Sequence, residues 1–170
     1  MIIGDRESGP VLLVPYDPHW ALRFQDEKRR IADAVGAQAQ RIEHIGSTAV
    51  PGLMAKPIID ILVEVDNIED DIGYAPALES AGYVLRVSEP GHRMFRPAAK
   101  DVYVHLWQTG DQQIARHLAF RDRLRTHQGD RSRYELAKKK LAQREWADRN
   151  EYAEAKTEII DEILRSTSPE

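Results

Sequence analysis

Residues 58–65 are the segment that most constrains the fold of this chain. They read IIDILVEV, in which six of the eight residues are aliphatic and five of those six are β-branched. β-Branched side chains favour the extended backbone of a strand. Because both alternating faces of the run are largely hydrophobic, we predict a strand that lies inside a sheet and is buried on both sides.

The other elements follow from helical spacing, caps and turn residues. Asp17 and Pro18 suit the start of a helix that ends near Gly36. Ser132 and Glu135 have the spacing of a capping box and predict the start of a C-terminal helix there. Further strands are predicted at residues 11–14, 41–45, 83–87, 93–96 and 102–107, and further helices at residues 66–81 and 111–127.

These elements predict an α+β fold, with a mixed or antiparallel sheet of about five strands packed by helices. We expect one domain over residues 1–170, with a sheet core at residues 11–110 and a helical C-terminal part at residues 111–165. A chain of this length can close a hydrophobic core without disulfides or a structural metal.

The composition excludes several classes of protein. The chain has no cysteine, so disulfides, thiolate catalysis and cysteine-based zinc sites are excluded. The mean hydropathy is −0.54, and the longest apolar runs have only the length of a strand, so no membrane partner is expected. The sequence does not open with the pattern of a secretory signal, and we therefore expect a cytoplasmic protein.

A basic segment interrupts this acidic chain. Residues 116–140 contain nine lysines and arginines against three acids, a local excess of six positive charges, whereas the whole chain carries a net charge of −4. Such a segment either holds a polyanionic ligand or is a solvated helix face. Nucleic acid is not expected as a partner, because the segment has few aromatic residues and the isoelectric point is about 5.9.

The pattern with the clearest chemical meaning begins at Gly46-Ser47, directly after the predicted strand 41–45. Glycine lets the backbone approach a ligand closely, and the serine hydroxyl and backbone N–H groups can bind phosphate oxygens. Asp60 comes thirteen positions after Ser47 on the next strand, where a carboxylate can hold a divalent ion. Lys56 lies between them and can add a cation. The alternative is that this turn is only a structural corner.

These residues also carry a resemblance to a known family. The runs HIGSTAVPGL at residues 44–53 and KPIIDI at residues 56–61 closely resemble the signature of the GrpB family. YDPHW at residues 16–20 and FRDRLR at residues 120–125, with Tyr134 and Lys138 beyond, are similar to its other elements. The resemblance implies a nucleotidyltransferase-like fold of the DNA polymerase β superfamily.

The resemblance implies a metal site as well. In that superfamily a Gly-Ser turn precedes a strand with two acids, and a third acid lies on a later strand. Asp60 matches the first acid, Leu62 occupies the position of the second, and His105 stands where the third is expected. The implied catalytic and metal-binding residues are therefore Asp60 and His105, and the implied cofactor is Mg²⁺, or alternatively Mn²⁺. A hydrogen-bonded core histidine is the alternative role of His105.

Five residues are predicted to bind phosphate. Gly46, Ser47 and Lys56 belong to the turn and the segment after it, while Arg121 and Arg125 are four residues apart and share one helix face.

Leu62 leaves two functions open. One is a metal-dependent transfer of a nucleotidyl group from a nucleoside triphosphate to an unspecified acceptor. The other is a non-catalytic module that binds a nucleotide or another phosphorylated small molecule and has lost transfer. Glu64 shares a strand face with Asp60, but it lies about 13 Å further along the strand, so one ion cannot bridge both. The sequence defines neither the oligomeric state nor the base preference.

Overall fold

The computed structural model describes residues 1–3, 10–146 and 149–166, and the side chains of residues 149 and 150 lie outside the description. Five strands form one mixed sheet, in the order β1-β2-β5-β4-β3. The strands are β1 (Ala39–Ile45), β2 (Ile59–Val65), β3 (Val84–Glu89), β4 (His92–Arg96) and β5 (Val102–Gln108). The helices are α1 (His19–Val35), α2 (Asp71–Ser80), α3 (Gln112–Thr126), α4 (Gln128–Ala142), α5 (Arg149–Ala155) and α6 (Thr157–Arg165). The predicted α+β class is confirmed.

Strand β2 lies inside the sheet, as its composition predicts. It pairs with β1 in the antiparallel sense and with β5 in the parallel sense. Ile61, Leu62 and Val63 are all fully buried, so both faces of the strand are covered. The middle strand of the five is β5, which carries a parallel neighbour on one side and the antiparallel β4 on the other.

Two local predictions are wrong. Residues 11–14 form no regular strand and contribute only an isolated bridge between Val14 and Ala55. Pro10 and Pro15 flank this segment, and neither has an N–H group with which to extend a ladder. The capping box at Ser132 is also absent, because α4 begins at Gln128 and already includes Ser132.

The first helix begins one residue later than predicted, at His19, with Pro18 and not Asp17 as its N-cap. The Asp17 carboxylate accepts a hydrogen bond of 2.9 Å from the His19 backbone N–H. It thereby satisfies one of the N–H groups that the first helical turn leaves without a partner.

The two faces of the sheet are covered by different parts of the chain. On one face α1 and α2 pack against alternate residues of the strands, with Phe24 and Tyr74 in the same core as Ile61. On the other face Leu62 packs with Ile45, Trp107 and Ile114 beneath α3.

A further cluster joins the C-terminal helices to the segment after β1. It contains Val50, Leu53, Leu124, Tyr134 and Ile163. This packing places α4, α5 and α6 beside the end of β1, where the Gly-Ser turn begins. Among the described residues, no helix combines the length and apolar character needed to cross a bilayer.

The burial of Leu62 generates a stability prediction. Leu62→Ala is expected to lower the free energy of unfolding by about 2–5 kcal/mol, because it leaves a cavity between the sheet and α3. The matched control is Leu22→Ala on α1, where the leucine is 64% exposed; its effect should stay within about 0.5 kcal/mol. Urea unfolding of both variants measures the difference, and equal effects would contradict the packing described for Leu62.

Candidate functional site

Gly46 brings the end of β1 against the Asp60 carboxylate. Its φ of 72° and ψ of −174° lie in a region that side-chain-bearing residues rarely adopt. A Cβ at this position would stand 2.7 Å from Asp60 Oδ2, which is too close for two non-bonded atoms. The glycine is therefore required both by the backbone conformation and by the neighbouring carboxylate.

His44 and Thr48 hold the Gly46-Ser47 turn in place through hydrogen bonds. Thr48 Oγ1 donates a hydrogen bond of 2.9 Å to the Ile58 carbonyl, and it accepts one of 3.0 Å from His44 Nε2. The His44 ring stacks on Phe24 at a centroid distance of 4.8 Å. Burial lowers the pKa of His44 to about 4, so its imidazole is neutral at neutral pH. His44 thus anchors the turn to β2 and the core.

Asp60 and His105, the two residues predicted to act together, do lie together. His105 Nε2 is 3.4 Å from Asp60 Oδ1, and His105 Nδ1 is 3.1 Å from His92 Nε2. His105 stacks on Trp107, and His117 packs against the same indole. The pKa values of His92 and His117 are both lowered to about 4, first by burial and then by the charge of His105. One carboxylate therefore faces a cluster of imidazoles.

The surroundings of Asp60 do not provide the acids of a two-metal site. Leu62 is fully buried, and the Glu64 carboxylate is engaged by Arg41 at 3.3 Å. Within residues 1–3, 10–146 and 149–166, no three His, Asp or Glu side chains converge as ligands for an ion. Octahedral Mg²⁺ takes oxygen ligands, whereas Asp60 and His105 offer one carboxylate and one nitrogen. This donor set does not fit Mg²⁺.

A buried lysine from α4 reaches the Gly-Ser turn. Lys138 is 2% exposed, and its Nζ donates to Ser47 Oγ at 3.0 Å and also to the Met54 carbonyl. Its pKa is lowered to about 7, first by burial and then by the charge of Lys156, with a smaller contribution from Lys56. Three ammonium groups therefore lie close enough to one another to repel.

The other two lysines enclose Tyr152. Lys56 Nζ lies 5.0 Å and Lys156 Nζ 4.8 Å from the centroid of its ring. The pKa of Lys156 is lowered by burial, against the opposing charge of Asp60. We use the name lysine cleft for the place at which Ser47, Tyr152 and these three lysines gather.

The Tyr152 hydroxyl has no partner in this environment. Tyr152 is fully buried, and no hydrogen bond to its hydroxyl oxygen exists among the described residues. Its pKa is raised, first by burial and then by Tyr134, which also lies against Ser47. An unpaired buried hydroxyl costs about 1–3 kcal/mol, so such a group calls for an explanation.

Arg121 and Arg125 share one face of α3 as predicted, but their hydrogen bonds go to the protein. Arg121 pairs with Glu43 at 2.7 Å and donates to the His44 carbonyl at 3.1 Å. Arg125 donates to the Ala49 carbonyl at 2.8 Å. Both guanidinium groups therefore tie α3 to the end of β1 and to the turn, which leaves their predicted role in phosphate binding a prediction.

Sequence reasoning assigned no site role to Lys138, Tyr152 or Lys156. Tyr134 and Lys138 were recognisable only as part of the resemblance, and Tyr152 has the spacing of an apolar helix face. One available signal was the basic segment, since it includes Lys138, but a charge excess does not reveal which side chain turns inward.

The chain is similar in sequence and in structure to proteins described as GrpB or UPF0157. The family model described as GrpB protein matches residues 10–166. A UPF0157 protein of Streptomyces coelicolor is 46% identical over 159 residues, which cover 94% of this chain and 85% of that protein. The crystal structure of the conserved protein GrpB from Enterococcus faecalis superimposes with a TM-score of 0.80 at 33% identity, covering 91% of this chain and 98% of the other.

A more distant similarity is to part of a kinase. A dephospho-CoA kinase of Mycolicibacterium paratuberculosis is 35% identical over 105 residues, which cover 60% of this chain and 26% of the kinase. The match therefore concerns a segment of that enzyme and not its whole length.

The contact between Gly46 and Asp60 can be tested with a matched pair of glycines. Gly36→Ala places a Cβ in open space at a φ of 60°, so it reports the backbone cost alone. Gly46→Ala adds the collision with Asp60 and should lower the free energy of unfolding by about 1 kcal/mol or more beyond the Gly36 variant. Urea unfolding gives both values, and a smaller loss for Gly46→Ala would refute the close approach.

Proposed function

We infer that this chain, which belongs to the GrpB family, binds a nucleotide or another phosphorylated metabolite in the lysine cleft. The observation that carries the proposal is that Lys138 donates to Ser47 and feels the charges of Lys56 and Lys156, which lie against the ring of Tyr152 with its unpaired buried hydroxyl. Each of these groups is a donor or a cation, and phosphate is an anion with several acceptor oxygens.

The electrostatics of the lysine cleft favour an anionic occupant. Burial of Lys138 lowers its pKa because the ammonium loses water and meets the charges of Lys156 and Lys56. Glu135 partly offsets this repulsion, but its carboxylate is also held by Lys139 at 2.8 Å and by the Met54 N–H at 3.1 Å. A phosphate beside Lys138 would add negative charge and would relieve this repulsion.

Each group around a bound phosphate would then have its own role. Ser47 follows the Gly46 turn, so its hydroxyl and the backbone of the turn face a ligand at close range. Lys56 and Lys156 approach from two sides of Tyr152, whose hydroxyl can donate to a phosphate oxygen. Lys138 holds Ser47 in place from behind.

The kinase match suggests which ligands to try first. The name of that enzyme states that it acts on dephospho-CoA, which contains an adenine nucleotide and a diphosphate. Coenzyme A precursors therefore belong beside nucleoside triphosphates and pyrophosphate in a binding screen.

A metal-dependent nucleotidyl transfer is the second candidate, and the position of Asp60 favours it. The carboxylate lies over Gly46, contacts His105 and acts electrostatically on Lys156 in the lysine cleft. It therefore stands where a phosphate bound at Ser47 would meet it. Against this candidate are the burial of Leu62 and the shortage of oxygen ligands.

Tyr152→Phe tests the binding function. The variant should fold as stably as the natural protein or more so, because it removes a hydroxyl without a partner. It should weaken binding of the best ligand in the screen by about tenfold or more, since a hydrogen bond to a charged group contributes roughly 1.5–3 kcal/mol. Isothermal titration calorimetry measures the affinity and urea unfolding the stability.

Tyr83→Phe is the matched control. The Tyr83 hydroxyl donates to Glu27 in the core beneath α1, so its loss should destabilise the protein and leave ligand affinity unchanged. If ATP, dephospho-CoA and pyrophosphate all give no heat with the natural protein, the binding proposal is refuted.

The affinity should also depend on pH above neutrality. Because Lys138 has a pKa of about 7, it is charged below that value and loses its proton above it. A bound anion favours the charged form, so binding of pyrophosphate must take up a proton at higher pH. The dissociation constant should rise between pH 7 and 9, by at most about tenfold per pH unit for this group. Calorimetry in buffers of different ionisation enthalpy counts the protons; a flat profile would show that Lys138 does not sense the ligand.

The second candidate has its own test in Asp60→Asn. If transfer operates, pyrophosphate release from a nucleoside triphosphate should depend on Mg²⁺ or Mn²⁺ and should disappear in this variant. Asp33→Asn, on an exposed position of α1, should keep full activity. Absence of pyrophosphate release with all four ribonucleoside triphosphates and both ions would eliminate transfer to water or to the protein itself.

A further inference from the structure

Ser47 and Lys138 form a close pair at the mouth of the lysine cleft. The Nζ of Lys138 is 3.0 Å from Ser47 Oγ and is fixed by the Met54 carbonyl on its other side. Lys138 is buried, whereas Ser47 is half-buried and therefore partly open to the cleft. The pair thus has the geometry of a hydroxyl with a base behind it, within the reach that proton transfer requires.

The backbone adds to this arrangement. Strand β1 ends at Ile45, Gly46 turns the chain sharply, and Ser47 opens a 3₁₀ turn that ends at Ala49. This turn holds the hydroxyl at the end of a strand, and the side chain of the buried Tyr134 is hydrogen-bonded to that of the serine, so Ser47 is held by both Tyr134 and Lys138. A rigid nucleophile with a fixed base needs this kind of support.

Lys138 is also suited to accept a proton. A lysine acts as a base only in its neutral form, which an ordinary solvated lysine hardly populates at pH 7. Burial and the charges of Lys156 and Lys56 lower the pKa of Lys138 to about 7, so a substantial share of it is neutral there. Lys56 and Lys156 then remain to hold the anion.

We propose that Ser47 is a nucleophile that accepts a phosphoryl or nucleotidyl group from a bound phosphoric anhydride, with Lys138 as its base. The inference rests on the proposed binding of a phosphorylated ligand in the lysine cleft. The Ser47 hydroxyl transfers its proton to the neutral Lys138 Nζ while Oγ forms a bond to phosphorus. The bridging P–O bond breaks, and its electron pair leaves with pyrophosphate when a nucleotidyl group is transferred, or with the nucleoside diphosphate when the terminal phosphoryl group is transferred. The chain then carries a phosphate ester on Ser47, and Lys138 is protonated.

A purely structural pair would behave differently. If Lys138 only donates to Ser47 as a permanently charged ammonium, the serine stays unmodified in the presence of any anhydride. The two roles therefore differ in one measurable product, the ester on Ser47.

Incubation with ATP labelled at either the α- or the γ-phosphorus distinguishes them. Retained α-label indicates nucleotidyl transfer and retained γ-label indicates phosphoryl transfer, and peptide mass spectrometry locates the ester. We expect one of the two labels on Ser47. Label on a different residue, or no label between pH 6 and 9, overturns the proposal. Binding of ATP and pyrophosphate by the same preparation is measured by calorimetry, so failure of the nucleophile is distinguished from failure of the binding function.

Variants identify the participants. Ser47→Ala should abolish labelling, whereas Ser132→Ala, at an exposed serine on α4, should keep it. Lys138→Met should reduce the labelling rate at least about 100-fold, in the range of general-base effects, whereas the exposed Lys140→Met should not. Because Lys138→Met removes a buried group, its folding is checked by urea unfolding. If this variant does not fold, the pH dependence of the labelling rate in the natural protein tests the role of Lys138 instead.

The pH profile separates this role from ligand binding. Because the bound anion raises the pKa of Lys138, the labelling rate at saturating ATP should rise through the pH range above 7 in which the bound Lys138 loses its proton, while the affinity falls over the same range. A labelling rate that falls with rising pH would exclude Lys138 as the base.

Discussion

The buried ammonium of Lys138 is the interaction on which the architecture of the lysine cleft depends. It joins α4 to the Gly-Ser turn through Ser47 and to the segment before β2 through the Met54 carbonyl. Glu135, one helical turn earlier, accepts from the Met54 N–H, so both backbone polar groups of Met54 are held by α4. A charge taken out of water is unfavourable unless it is well hydrogen-bonded or paired. Here it is hydrogen-bonded but surrounded by further cations, and this combination makes the lysine cleft receptive to an anion.

Much of the fold could be predicted from local patterns, because those patterns agree with the tertiary structure. The β-branched run of β2 is buried on both faces, and the alternation on β5 places Tyr103 and His105 on the face opposite to Val104. The strand predicted at residues 11–14 does not form, because strand propensity does not show whether a neighbouring strand is available for pairing. Two prolines also limit the backbone hydrogen bonds of this segment. The prediction of a helix start at Ser132 was wrong because the spacing of a capping box also occurs inside helices. Glu135 instead accepts a hydrogen bond from the Met54 N–H.

Some residues of the candidate site could be predicted from the sequence and others could not. Gly46 and Asp60 could be paired from sequence because they lie on adjacent strands joined by a short connection, and Ile45 is indeed opposite Asp60 in the register. His105 could be placed beside Asp60 only through the resemblance, which puts it at the position of the third acid of the superfamily; in the register it stands opposite Leu62. Lys138 and Lys156 could not be found in this way, because their contacts span about half the chain and depend on how the C-terminal helices pack. The Ser47–Lys138 contact, for example, joins residues 91 positions apart.

The C-terminal position of these contacts has a consequence for synthesis of the protein. Strands and helices up to residue 126 can pair from local and neighbouring contacts, but Tyr152 and Lys156 reach Lys56 only when α5 and α6 are in place. A nascent chain on the ribosome therefore has a formed sheet before it has a ligand cleft. If the lysine cleft binds a metabolite as proposed, only chains that have completed the docking of their last helices can do so, and occupancy would report successful folding of the described chain.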